Sequence, residues 1–193
     1  FVEEECRALY IARFTSVILE ARTKGQTDTV AHGLERANVP ESTPLTIFNI
    51  DTFRPHFRYP ANQEVKDADG YLEVFRGSGT NWSYVRPARK KDTRIIEARE
   101  KQPISDLCCT GLYHFRRCGD FIRAHSAPRD AHTAAEARET YVAPLYNVLI
   151  KEGANIRYHV IDREDVVFCG TPDEYDAFLR IEDNIKKQRS ARQ

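Results

Sequence analysis

Pro44-Leu45-Thr46-Ile47-Phe48-Asn49-Ile50-Asp51 is the stretch on which the reading of the fold turns. The run from Leu45 to Ile50 is almost wholly apolar, opened by a proline and closed by an aspartate. A central parallel strand has this look when helices cover both faces of its sheet. Upstream, Thr27 to Ala37 reads as a helix that follows Gly25 and closes near Asn38 and Pro40. Before it, Phe14 to Leu19 (FTSVIL) reads as a buried strand. Strand, helix and strand from Phe14 to Ile50 predict a right-handed crossover.

Working outward, residues 1–9 read as the end of a helix. Pro55 and Pro60 bracket an aromatic loop with Phe53, Phe57 and Tyr59. Tyr71 to Phe75 is a strand, Gly77-Ser78-Gly79 signals a hairpin-type turn, and Trp82 to Arg86 returns as a strand. Arg94 to Ala98 and Leu107 to Phe115 are two more. Helices follow at Cys118 to His125 and Ala134 to Arg138. Val142, Leu145 and Leu149 make a one-faced helix that ends at Gly153. Ile156 to Ile161 and Val166 to Phe168 are late strands. The last helix has the clearest start: Thr171 can cap, Pro172 suits the first helical position, and Glu174 completes a capping box. Its apolar face is Tyr175, Phe178, Leu179 and Ile185. Alternating strands and helices predict one α/β domain over 193 residues, with 186–193 as a disordered tail.

Composition narrows the function. With 29 basic against 29 acidic residues, no large positive field exists to attract nucleic acid. No apolar run approaches the ~20 residues that span a bilayer, and Glu3-Glu4-Glu5 stands where a signal peptide carries positive charge. Five cysteines without a CxxC pair read as reduced thiols of a cytoplasmic protein. Cys108 and Cys109 should face opposite ways on their strand. The chain opens on Phe1 and contains no Met, so the expectation is a processed chain or a fragment.

Three places could carry chemistry. Asp51 follows a buried strand, where open α/β sheets bind ligands; it either holds a hard cation such as Mg²⁺ or simply opens a loop. Gly25-Gln26-Thr27-Asp28-Thr29 precedes a helix. Its backbone donors suit an anion and the Gln26 amide can read a base edge, while Asp28 equally serves as an N-cap. Glu100 and Lys101 end a strand: the lysine offers a compact charge for a phosphate and the glutamate can accept sugar hydroxyls, or the two form a solvated ion pair. No GxGxxG, Walker sequence, nucleophile elbow or metal-spaced histidine set is present.

In order, these segments resemble the sugar-1-phosphate nucleotidyltransferase family, and within it the bacterial capsule and lipopolysaccharide branch. The carrying stretches are Thr23 to Val30, Pro44 to Asp51, Asn81 to Val85, Glu100 to Ser105, Thr110 to Tyr113, Tyr141 to Tyr146 and Gly170-Thr171-Pro172. The resemblance implies a nucleotide-diphospho-sugar transferase fold, a Rossmann-like mixed sheet flanked by helices. It implies transfer of a nucleotidyl group from an NTP to a sugar 1-phosphate with release of pyrophosphate. Gly25 and Gln26 would meet the base and Asp51 would hold Mg²⁺. Lys101 would bind the sugar phosphate, Glu100 the sugar, and Ser83 and Thr110 would line the sugar pocket.

Two departures accompany it. The family opens with a strand and a Gly-rich loop that grips the triphosphate, and nothing before Phe14 matches them. The expectation is therefore a chain lacking that unit and poorly active alone. Many relatives also place a second metal-binding Asp two residues before the Gly-Thr-Pro glycine. Here that position is Phe168, and Asp165 is the nearest candidate substitute. Three other readings stay open: a binding module without catalysis, a glycosyltransferase of related fold, for which Asn49-Ile50-Asp51 offers half of a DxD motif, and a degraded remnant with no function.

Overall fold

The computed structural model describes residues 2–55, 57–128 and 140–180. The helix expected at Ala134 to Arg138, Ile185 and the tail from 186 lie outside them. Helix α1 (Val2–Ala8) leads to an extended segment and α2 (Gln26–Arg36). Then come β1 (Leu45–Phe48), β2 (Thr52–Phe53), α3 (Gln63–Lys66), β3 (Gly70–Arg76), β4 (Ser83–Pro87), β5 (Ile95–Glu100) and β6 (Leu107–Phe115). Helix α4 (Cys118–Ser126), a 3-10 turn at Ala143–Leu145, α5 (Tyr146–Lys151), β7 (Ile156–Val160), a 3-10 turn at Arg163–Asp165 and β8 (Val167–Phe168) follow. A helix over 172–180 ends the described chain.

The main sheet runs β5-β4-β6-β3-β7, with β1 also on β6; β2 and β8 form a separate two-stranded ladder. Among the described residues only β3–β7 is a parallel pair. The sheet is thus mixed, as expected. Its centre is β6, whose residues are buried except for a partly exposed His114, because it is paired on both edges and packed on both faces. Cys109, Tyr113 and Phe115 face α4, the 143–145 turn and α5, with α2 packed alongside. Cys108 faces the other way, toward Phe75, Val166 and Phe168, and Leu112 meets Tyr71 and Val65 of α3. The two adjacent cysteines do face opposite sides, and all five cysteines are free thiols.

Three expectations fail, each because strand pairing is not local. Phe14 to Leu19 is not a strand. Ile18 is 80% exposed, and its carbonyl accepts from the Arg36 guanidinium instead of a strand neighbour. The crossover from Phe14 to Ile50 is therefore absent. β1 is not a central parallel strand: it pairs antiparallel with β6 alone, and only Ile47 of its residues is buried. Finally, β3 and β4 do not form a hairpin, because β6 lies between them.

The capping box forms reciprocally. The Thr171 amide donates to Glu174 Oε2 (3.0 Å), and the Glu174 amide to Thr171 Oγ1 (3.3 Å). The apolar face beyond it is only partly covered: Phe178 stacks on Phe53 (centroids 5.1 Å apart), while Tyr175 stays 52% exposed.

Candidate functional site

One edge of β6 is shared by two strands. β4 pairs it at Tyr84↔Cys108, and β1 pairs it from Phe48↔Leu112 to Leu45↔Phe115. Both are antiparallel to β6, so the end of β1 and the start of β4 face each other across the interval from Cys109 to Gly111. The same interval is bulged. Leu72 and Val74 of β3 oppose Tyr113 and Cys109, so two steps on β3 span four on β6. Bulges re-aim side chains and interrupt pairing, often beside active sites. Gly111 (φ +96°) makes this one possible. A side chain there would strike Asn49, whose amide nitrogen lies 2.6 Å from the position of a Cβ.

Several predicted residues gather around this break. The Asn49 amide donates to the Gly111 carbonyl (3.1 Å), and Gln26 Nε2 donates to Asn49 Oδ1 (2.6 Å). Gln26 opens α2, and Gly25 is its N-cap with φ +137°. Asp28 is not the cap; its carboxylate accepts from the Lys24 amide (2.9 Å), which holds its pKa below the usual carboxylate value. On the opposite side, Ser83 donates to Glu100. Burial raises the Glu100 pKa, against the lowering pull of the Ser83 hydroxyl and the Lys101 charge. Lys101 holds φ +54°, a left-handed backbone that a non-glycine residue adopts at a cost. Its amide donates to the Trp82 carbonyl (2.9 Å), and its ammonium donates to the Tyr141 hydroxyl (3.0 Å) with the charge 5.0 Å from the ring centre. Strain of this kind persists only where neighbours over-determine it.

Asp51 is exposed just beyond β1. Its carbonyl accepts from the Cys169 amide (2.8 Å). Asp51 Oδ2 lies 2.8 Å, and Glu174 Oε2 3.8 Å, from the point where a side chain on Gly170 would begin. Glycine at 170 thus leaves room for two carboxylates. Burial, then the charges of Glu174 and Asp51, raise the Cys169 pKa. Asp165 is not brought to Asp51. The ladder pairs Thr52 with Phe168 and Phe53 with Val167, which sets Asp51 against Cys169 and leaves Asp165 past the other end. Glu174 is the carboxylate that arrives beside Asp51, and its place in the capping box was the available signal.

Asp51 and Glu174 offer hard oxygen donors, the ligand type that Mg²⁺ takes. Among the described residues no three His, Cys, Asp or Glu side chains converge into a metal cage. An exposed carboxylate such as Asp51 is compatible with Mg²⁺, which keeps several waters and is held by one or two carboxylates plus substrate phosphates.

Thr110, expected to line the sugar pocket, is held by a scaffold partner. It is 1% exposed, and its hydroxyl donates to Glu73 Oε1 (2.9 Å). Glu73, 1% exposed, also meets Arg54 in a fork: Nε to Oε1 at 2.8 Å and Nη2 to Oε2 at 3.2 Å. This pair escaped the sequence reading. Its signal was a lone acid inside Tyr71-Leu72-Glu73-Val74-Phe75, where an unpartnered charge would be prohibitive.

A solved structure of a nucleoside-diphosphate-sugar pyrophosphorylase from Vibrio cholerae RC9 is 46% identical, with a TM-score of 0.84 over 93% of this chain and 74% of that one. The chain belongs to the nucleoside-diphosphate-sugar pyrophosphorylase family. More distant members of the fold align as well. A UDP-glucose pyrophosphorylase solved with UDP-glucose superposes with a TM-score of 0.68 at 13% identity, over 92% of this chain and 70% of that one. An inositol-1-phosphate CTP transferase from T. maritima superposes at 0.60 and 11%, over 90% and 66%. No family model matches, and no curated protein matches the sequence. This pyrophosphorylase-family chain therefore has the mixed α/β fold of the nucleotidyltransferases. No helix among the described residues is long and apolar enough to cross a membrane.

Proposed function

We propose that the chain transfers a nucleotidyl group from an NTP to a sugar 1-phosphate, or a similar phosphorylated acceptor, and releases pyrophosphate. The carrying observation is the break in β6 pairing. It sets Gln26, Asn49 and Asp51 on one side of a bulge and Ser83, Glu100 and Lys101 on the other. That division suits two substrates that must meet. Gly25 and Gln26 would receive the base, and Lys101 the acceptor phosphate. Glu100, held by Ser83, would accept sugar hydroxyls. A phosphate oxygen of the acceptor attacks the α-phosphorus in line, and pyrophosphate leaves. No protein nucleophile is needed, so positioning and charge stabilisation carry the rate. Mg²⁺ on Asp51 would neutralise charge between the phosphates. The motif order supports a product destined for capsule or lipopolysaccharide precursors.

The test is a screen of NTPs and sugar phosphates with Mg²⁺, read by calorimetry and by pyrophosphate release. Binding with release supports the proposal. Binding without release favours a non-catalytic pocket, and neither outcome across the screen overturns both. Where release is seen, Asp51→Ala should lower kcat by about 100-fold or more, since charge stabilisation at a phosphoryl group contributes several kcal/mol. Normal Mg²⁺-dependent turnover in that variant refutes the metal role.

A further inference from the structure

β2 is two residues long, yet it decides which way Asp51 faces. Along this strand Thr52 is buried and Arg54 turns inward, while Asp51 and Phe53 are exposed. A shift of one residue against β8 would reverse every one of these directions. The two pairs Thr52↔Phe168 and Phe53↔Val167 are a weak guarantee of register.

The Arg54–Glu73 fork supplies a stronger one. Arg54 is 8% exposed at its side chain and Glu73 1%. Beyond the fork, Arg54 Nη1 donates to the carbonyl of Asp165, one residue before Val166, so the same guanidinium grips the β8 side of the ladder. Glu73 in turn accepts from Thr110, inside the β6 bulge that places Gly111 against Asn49. One buried charge pair therefore ties together the strand that carries Asp51, its partner strand, the sheet strand β3 and the bulge. Paired charges in a core add little net stability over well-packed apolar residues, and their best-attested use is to set register. A planar fork does this better than a point charge, because two parallel bonds fix an orientation.

We propose that Arg54 and Glu73 are positioning residues: their buried fork locks the register of β2 so that the Asp51 carboxylate faces the candidate site. The proposal rests on the functional reading only for what Asp51 does there.

The test is Arg54→Met/Glu73→Met, which replaces the pair by apolar side chains of similar length, with Arg54→Lys as a companion that keeps the charge and loses the fork. Three measurements are made on the full chain: thermal melting, hydrogen exchange of the Cys169 amide that donates to Asp51, and Mn²⁺ binding by electron paramagnetic resonance. The expected result for the double variant is a melting temperature near that of the wild type. Cys169 protection should fall about tenfold or more as the ladder slips, and Mn²⁺ affinity by about tenfold, the usual cost of losing a group that orients a metal ligand. Arg54→Lys should show the same pattern more weakly and answers the question should the double variant fail to fold. Wild-type Cys169 protection in either folded variant overturns the proposal. If protection falls but the wild type itself binds no Mn²⁺, the register lock stands and the metal role of Asp51 is what fails.

Discussion

Glu73 on β3 and Glu100 on β5 are the same residue type on two strands of one sheet, and the fold treats them in opposite ways. Glu73 is sealed in and completely served: a two-pronged guanidinium and a threonine hydroxyl meet its oxygens. Glu100 is half-buried, and the Ser83 hydroxyl donates to it with the Lys101 charge nearby; burial raises its pKa. A carboxylate whose needs are met by the protein belongs to the scaffold. One that is partly desolvated and incompletely met keeps capacity for a ligand, the usual condition of groups in sites.

The sharpest way to break this comparison is to delete the acids. Glu73→Ala leaves Arg54 buried without its counter-charge and should cost about 3–5 kcal/mol in urea unfolding. Glu100→Ala should change stability far less, and equal losses would abolish the distinction. Next come the two hydroxyls. Thr110→Val removes one of the two hydrogen bonds to the buried Glu73 Oε1, leaving that of Arg54, and should cost about 1.5–3 kcal/mol, the usual worth of a bond to a charged group. Ser83→Ala exposes Glu100 to water that can replace the lost donor, so about 0.5–1.5 kcal/mol is expected. The finest test is pH. A carboxyl whose folded pKa is raised binds more protons folded than unfolded, so its contribution declines as pH rises from about 4.5 through the folded pKa. Urea midpoints of the wild type should therefore fall relative to Glu100→Gln across that window and run parallel above it. Parallel curves throughout would show that burial does not perturb Glu100.

The contrast also shows what a sequence makes legible. Leu107 to Phe115 was readable end to end because a strand buried on both faces writes a continuous apolar run. Thr171 and Glu174 were readable because a capping box is settled within four residues. Asp51 and Lys101 could be nominated from their places after strands. The purpose of Thr110 could not, because its partner Glu73 lies on another strand and faces it across a bulge. The role of Arg54 is not legible for the same reason: its partner Glu73 lies on another strand.

By itself, then, the sequence determined most of the local elements, the balance of 29 basic and 29 acidic residues and the residue types available for phosphate chemistry. These follow from periodicity, capping and composition, which act over a few residues. Tertiary structure alone decided that β1 lies at a sheet edge, that β6 separates β3 from β4, and that Asp165 stands apart from Asp51 while Glu174 approaches it. Those outcomes depend on which strands share hydrogen bonds. Backbone donors and acceptors are the same for every residue, so the chain does not label its pairings; burial of the whole sheet selects them together.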